Sequence, residues 1–119
     1  MLNKKNKIQK KKEVENVFKN GKSSFDKFLG LKVIKTENKI NRFVIVVSAK
    51  VSKKAVKRNY IKRRLHEIAR LNLRYLDQGH DFFVLALPPI IEKNFSEIEN
   101  LFIAHCKKLK AISPKTHNV

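Results

Sequence analysis

Residues 42–76 read RFVIVVSAKVSKKAVKRNYIKRRLHEIARLNLRYL, and their two halves follow different periods. Residues 42–48 are a run of β-branched and aromatic side chains, the composition of a central β-strand. From there on Ile61, Leu65, Ile68, Ala69 and Leu76 recur at helical spacing, one apolar stripe on a long amphipathic helix. Ser52 is the expected N-cap, so the helix is predicted over 52–76, with Gln78-Gly79 as its break. A strand feeding directly into a long helix points to a mixed domain with helices packed on a sheet.

The flanks extend this pattern in both directions. Residues 28–34 alternate, with Leu29, Leu31 and Val33 on one side and Gly30 and Lys32 on the other, as in a half-buried strand. A polar turn over 37–41 joins this strand to 42–48, and the two are expected to pair as a hairpin. Residues 81–87 form a third apolar strand, stopped by Pro88-Pro89. Ser96 with Glu99 predicts a capping box for a last helix that buries Ile98, Leu101, Phe102 and Leu109. Before the strands, Val14, Val17 and Phe18 share one face of a short helix ended at Asn20-Gly21. The first twelve residues hold six lysines and no acid, which predicts a basic flexible tail over 1–7. One domain over 8–112 and a C-terminal tail over 113–119 complete the division. The expected order is α-β-β-α-β-α, a single-domain α+β sandwich.

Charge narrows the function. The chain carries 28 Lys and Arg against 10 Asp and Glu, formally +18, which concentrates polyanions around it. Neutralising phosphates also releases condensed counterions and favours binding at low salt. Residues 50–64 contain eight cations (Lys50, Lys53, Lys54, Lys57, Arg58, Lys62, Arg63, Arg64) and no acid. They crowd the start of a helix, where the macrodipole is already positive and acids would be more stabilising. The apolar stripe, traced backwards from Ile61, arrives at Arg58 and Lys54, so the helix start overhangs the core and edges a cleft. Arg63 and Arg70 face the other way, so cations wrap the helix. A membrane-binding helix would confine them to one face. The segment therefore reads as an RNA-binding helix. Arginines suit bidentate phosphate contacts or stacking, lysines act as mobile point charges, and Asn59 can fix an arginine or read a ribose or base.

The stretch Ser48-Ala49-Lys50-Val51-Ser52-Lys53-Lys54-Ala55-Val56-Lys57-Arg58-Asn59-Tyr60-Ile61-Lys62-Arg63-Arg64 resembles the signature of the bacterial ribonuclease P protein component. In that family an Arg-Asn-Arg-x-Lys-Arg helix follows a Ser-x-Lys strand end. The likeness extends to Val17-Phe18-Lys19-Asn20-Gly21 and to the strand before Pro88-Pro89. It implies an α-β sandwich with a left-handed β-α-β crossover, similar to one domain of a small-subunit ribosomal protein. It further implies two partners, a large catalytic RNA and precursor tRNA, whose 5′ leader the holoenzyme removes as an endoribonuclease. The implied RNA-binding residues are Lys53, Lys54, Lys57, Arg58, Asn59, Tyr60, Lys62, Arg63 and Arg64. The implied leader-binding cleft lies between the sheet and the first and long helices, at Phe18, Lys50, Lys53, Val14 and Lys32. The third position of the triplet is Tyr60, the usual glycine after Lys50-Val51 is Ser52, and two often aromatic cleft positions are Val14 and Lys32.

No residue is expected to be catalytic. The carboxylates lack a clustered metal-ligand spacing, and Glu67 is expected to pair with Arg63, Arg64 or Arg70. His105, beside Cys106 on the last helix, reads as a satisfied core residue. Chemistry then belongs to the RNA and the Mg2+ it holds, with no metal on the protein. A lone cysteine and the absence of an apolar leader or a membrane-length apolar run suggest a cytoplasmic chain, monomeric when free of RNA. The rival class is a ribosomal or RNA-chaperone protein with no enzyme, which would also be small and basic.

Overall fold

The computed structural model describes residues 2–112. Its elements are α1 (Lys11–Asn20), β1 (Lys22–Phe25), β2 (Leu29–Lys35), β3 (Arg42–Val47), α2 (Ala55–Asn72), β4 (His80–Ala86) and α3 (Phe95–Lys108). The strands form one four-stranded sheet in the order β1-β2-β4-β3.

The expected hairpin between the strands at 28–34 and 42–48 does not form. β4 lies between them, antiparallel to β2 (Val33 opposite Phe82) and parallel to β3 (Phe43 opposite Phe82). The physical reason is that β4 is apolar on both faces: Phe82, Phe83, Val84 and Ala86 are all buried. A strand of that kind belongs in the middle of a sheet covered on both sides. The hairpin that does form joins β1 to β2, antiparallel, with Phe25 opposite Gly30. Its turn is held by Asp26, whose Oδ1 accepts from the backbone N–H of Phe28 at 2.6 Å and of Leu29 at 2.8 Å. β1 was not expected, because Lys-Ser-Ser-Phe is the short polar sequence of a protected edge. The observed order is thus α-β-β-β-α-β-α, with β3-α2-β4 as the parallel crossover unit.

Alternation along the strands sorts the side chains into two cores. Leu29, Leu31, Val33, Phe43, Ile45, Phe82 and Val84 face α2 and α3 and meet Ile61, Leu65, Ile68, Ala69, Ile98 and Phe102. Phe43 and Phe82 stack with centroids 4.6 Å apart. The opposite face is covered by α1 and by Ile8 just before it, through Ile8 and Val17 with Phe83 and with Val14, Ile34, Val44, Val46 and Leu85 around them. The five-residue stripe expected for the long helix is fully buried.

Boundaries moved where local hydrogen bonds outweigh propensity. α2 starts after Lys54, which caps it without a side-chain bond, while Ser52 Oγ accepts from Lys54 N–H two residues before the helix. Its far end is Asn72, followed by a 3₁₀ turn over Leu73–Tyr75. The capping box of α3 is Asn94 with Glu97, displacing the expected Ser96 and Glu99. An Asn-x-x-Glu pair two positions earlier follows the 3₁₀ turn Pro88–Glu92, which sets where the chain can enter a helix.

The tail expected over 1–7 is packed across its described part. Leu2 and Ile8 are buried, Asn6 Nδ2 donates to the Asn41 carbonyl at 2.8 Å, and Ile8 N–H donates to Phe43 O at 2.9 Å on the edge of β3. Two apolar anchors and one buried amide outweigh the mutual repulsion of the lysines. The tail expected over 113–119 lies outside the described residues. His105 is the satisfied core residue expected of it, with Ser24 Oγ at 2.6 Å from Nδ1 and Asp26 Oδ2 at 2.8 Å from Nε2.

His66 behaves differently. It is buried on α2, its Nδ1 has no protein hydrogen-bond partner, and burial, with Lys7 and Lys62 nearby, pushes its pKa down to about 4. The folded state therefore favours neutral imidazole. The resulting stability is complete above the unfolded pKa, about 6.5, and is lost as pH falls toward 4. Between these limits the loss is on the order of 2–3 kcal/mol. Denaturant unfolding at both pH values should show a clearly smaller loss for His66→Leu than for the parent chain. Equal losses would place the acid sensitivity elsewhere.

Candidate RNA interface

The start of α2 is presented by the end of β3. Val51 is buried and anchors the connecting loop, and Arg58 Nη1 donates to Ser52 O at 2.8 Å, folding back over the same loop. Beyond these two anchors the segment faces solvent: Lys50, Lys53, Lys54, Lys57, Asn59, Tyr60, Lys62 and Arg63 are exposed, Arg58 and Arg64 half-buried. The first turn of α2 holds no acid.

Two hollows flank this helix start. Val56, Asn59, Lys62 and Arg63 line one of about 430 Å³. Lys57, Tyr60 and Arg64 face residues 91–94 across another of about 390 Å³. Cations thus occupy both sides of the helix, as the sequence predicts. Among the described residues no cation between 50 and 64 is paired with a carboxylate, whereas Arg42, Arg70 and Lys93 are. Glu67 chooses Arg70 from its three possible partners, with Arg70 Nε at 3.1 and 3.2 Å from its oxygens. That choice leaves Arg63 and Arg64 to the outer surface.

The cleft residues divide. On the α1 face of the sheet, Phe18 is 48% exposed and meets Phe83 edge-on at 5.3 Å. Lys32 Nζ sits 4.1 Å from the Phe18 ring centroid and donates to Phe18 O at 2.7 Å. Val14 packs alongside. Lys50 and Lys53 stand apart on the loop after β3. The expected cleft between the sheet and both helices is corrected accordingly: α1 and α2 lie on opposite faces, because the strands bury alternate residues on each.

One groove residue went unread in the sequence. Phe25 is 48% exposed and lies across Gly30, so closely that a methyl group on the glycine Cα would collide with its ring. Gly30 alternates with Leu29 and Leu31, so Phe25, Lys32 and Phe83 share the α1 face. A glycine interrupting an otherwise regular strand was the available signal.

Carboxylates do not assemble a metal site. Glu13 and Asp81 bind Arg42, Asp26 binds His105 and backbone, Glu97 caps α3, and Glu99 accepts from Asn72. No group of three or more His, Cys, Asp or Glu among the described residues could hold a metal ion. No helix among them is long and apolar enough to cross a membrane.

Comparison with known proteins agrees with this geometry. The family model described as Ribonuclease P matches residues 2–110. The ribonuclease P protein component of a Clostridium botulinum strain is 41% identical over 106 residues, covering 88% of this chain and 95% of that protein. That of Alkaliphilus oremlandii is 31% identical over 108 residues, covering 91% and 94%. Among solved structures, a Staphylococcus aureus RNase P protein superposes with a TM-score of 0.81 at 25% identity, covering 91% of this chain and 98% of that one. The Thermotoga maritima protein gives 0.76 at 26%, covering 90% and 97%. The chain belongs to the ribonuclease P protein family: it is an RNA-binding protein subunit of the tRNA-processing endoribonuclease whose catalysis resides in its RNA.

Proposed function

We propose that the segment 50–64 docks on ribonuclease P RNA, while the groove between α1 and the sheet holds the 5′ leader of precursor tRNA. The observation carrying this reading is the set of cations without carboxylate partners on both sides of the α2 start, at the positions that match the family's RNA-contacting helix. Lys53, Lys54, Lys57, Lys62, Arg63 and Arg64 neutralise phosphates and release counterions. Asn59 offers a donor and an acceptor beside Arg63. Arg58 has a positioning role, since its guanidinium secures Ser52.

On the other face Phe18 and Phe25 supply exposed aromatic surface, the buried Phe83 backs Phe18, Lys32 supplies a cation and Val14 an apolar wall. An extended single strand fits such a surface with little sequence preference, because every base has a stacking face. Lys50 and Lys53, exposed on the loop after β3, neutralise the strand's phosphates. Magnesium is the business of the RNA, and the part of this chain is to lower repulsion between RNA and substrate.

Precursor tRNA cleavage by the cognate RNA at low magnesium tests the assignment. Adding this chain should restore cleavage, and lengthening the leader from none to several nucleotides should tighten substrate binding only when the chain is present. Equal affinity for both leader lengths would remove the groove from the account. Recovery of ribosomal RNA without a single large structured RNA in a pulldown would favour the chaperone reading.

A further inference from the structure

The hollow between the α2 start and the turn Pro88–Glu92 pairs an exposed aromatic ring with an exposed aliphatic side chain. Tyr60 is 48% exposed and Ile91, across from it, 42% exposed, in a lining that also holds the cations Lys57, Arg64 and Lys93 and one acid, Glu92. Solvation alone would favour lysine at such positions, and packing alone would bury both side chains. Tyr60 is also held. The Arg64 guanidinium lies 4.3 Å from its ring centroid, and Arg64 Nη2 donates to its hydroxyl. Arg64 Nη1 in turn reaches Lys93 O at 3.4 Å. Phenol and guanidinium therefore stand as two planar groups braced between α2 and the segment before α3.

We propose that Tyr60 and Arg64 form a platform on which one unpaired base of ribonuclease P RNA stacks, with Ile91 closing the hollow and Lys57 meeting the flanking phosphate. This rests on the assignment of α2 as the RNA-docking element. Three features select a base over an apolar partner. The platform is aromatic and cationic together, and Arg and Tyr both stack on nucleobases. Lys57 has no carboxylate partner among the described residues. The chain's formal charge of +18 disfavours any partner that is not anionic. The RNA subunit is favoured over the leader because α2 covers the sheet face opposite the α1 groove.

Binding of the cognate RNA alone, without precursor, is measured over a salt series for the parent chain, Tyr60→Phe, Tyr60→Leu and Tyr60→Arg. Tyr60→Leu should weaken binding about 5- to 100-fold with an unchanged salt slope, the signature of lost stacking. Tyr60→Phe, which keeps the ring, should stay much closer to the parent, and Tyr60→Arg should steepen the slope by about one phosphate contact. Tyr60→Leu binding like the parent would overturn the platform, as would a weakening accompanied by a shallower slope. A defect seen only when precursor is added would move the base to the substrate and overturn the assignment to the RNA subunit. Failure of the parent chain to bind the RNA would instead overturn the docking assignment itself. Unchanged melting temperatures separate all of these from misfolding.

Discussion

Arg42→Ala is expected to lower folding stability by about 3–5 kcal/mol, because it strands a buried carboxylate. Asp81 is 2% exposed in the central strand, and its two oxygens accept from Arg42 Nε at 3.0 Å and Nη2 at 2.8 Å. The same Nη2 donates to Glu13 Oε2 at 2.9 Å, tying α1 to the sheet. These partners, Asp81 foremost, hold the guanidinium pKa above its ordinary value, and Arg42 keeps the Glu13 carboxyl below its own. Thermal unfolding followed by circular dichroism should show the midpoint falling by roughly 12 °C or more for a domain of this size. A shift of only a few degrees would mean that Asp81 is solvated and the triad is incidental. Glu13→Gln should cost far less, since that carboxylate is a third exposed. The paired replacement Arg42→Met with Asp81→Leu should recover most of the loss, because an apolar pair of similar volume leaves no buried charge unpaired. Any leader-binding defect that persists in the recovered variant would then report the orientation of α1 and Phe18.

Lys62→Ala with Arg63→Ala should weaken binding to the cognate RNA by about two orders of magnitude. Two charge-assisted contacts at roughly 1.5 kcal/mol or more each supply that factor. Both residues are exposed and line the same hollow with Asn59, so neither substitution disturbs the core. The plot of log affinity against log salt should lose about two units of slope in magnitude. Arg58→Ala should behave differently. Its guanidinium already serves Ser52 O, so the slope should change little while the loop before α2 loosens. Similar slope losses for Arg58→Ala and Arg63→Ala would show that Arg58 leaves Ser52 to reach phosphate.

The site was more legible than the sheet. Charge density and helical register together locate the cation-rich start of α2, because a run of cations without acids at a positive helix end has no stabilising role in the chain itself. The groove beside α1 was legible only in part. Phe18, Val14 and Lys32 lie together on the α1 face, and Gly30 signals a close approach, but only strand pairing shows that Phe25 makes it. Tyr60 stood out as a departure from the triplet, but its bracing by Arg64 and its apposition to Ile91 depend on how the segment before α3 returns to α2.

By itself the sequence determined what each segment is and which of its faces is buried: the stripe from Ile61 to Leu76, the alternation around Lys32, the apolar run ending at Pro88. These follow from periods of 3.6 and 2 and from hydration, which act within a few residues. Only the tertiary structure decided which strands are neighbours, that β4 parts β2 from β3, and that the lysine-rich start is packed along β3. The same packing decided where the cations stand: the buried strands set the helices on opposite faces, and that separation leaves the α2 start as one surface and the α1 groove as another. Those choices rest on matching whole surfaces across the chain, where the Phe82 strand buries most when covered on both sides, and such matching has no signature in any single stretch.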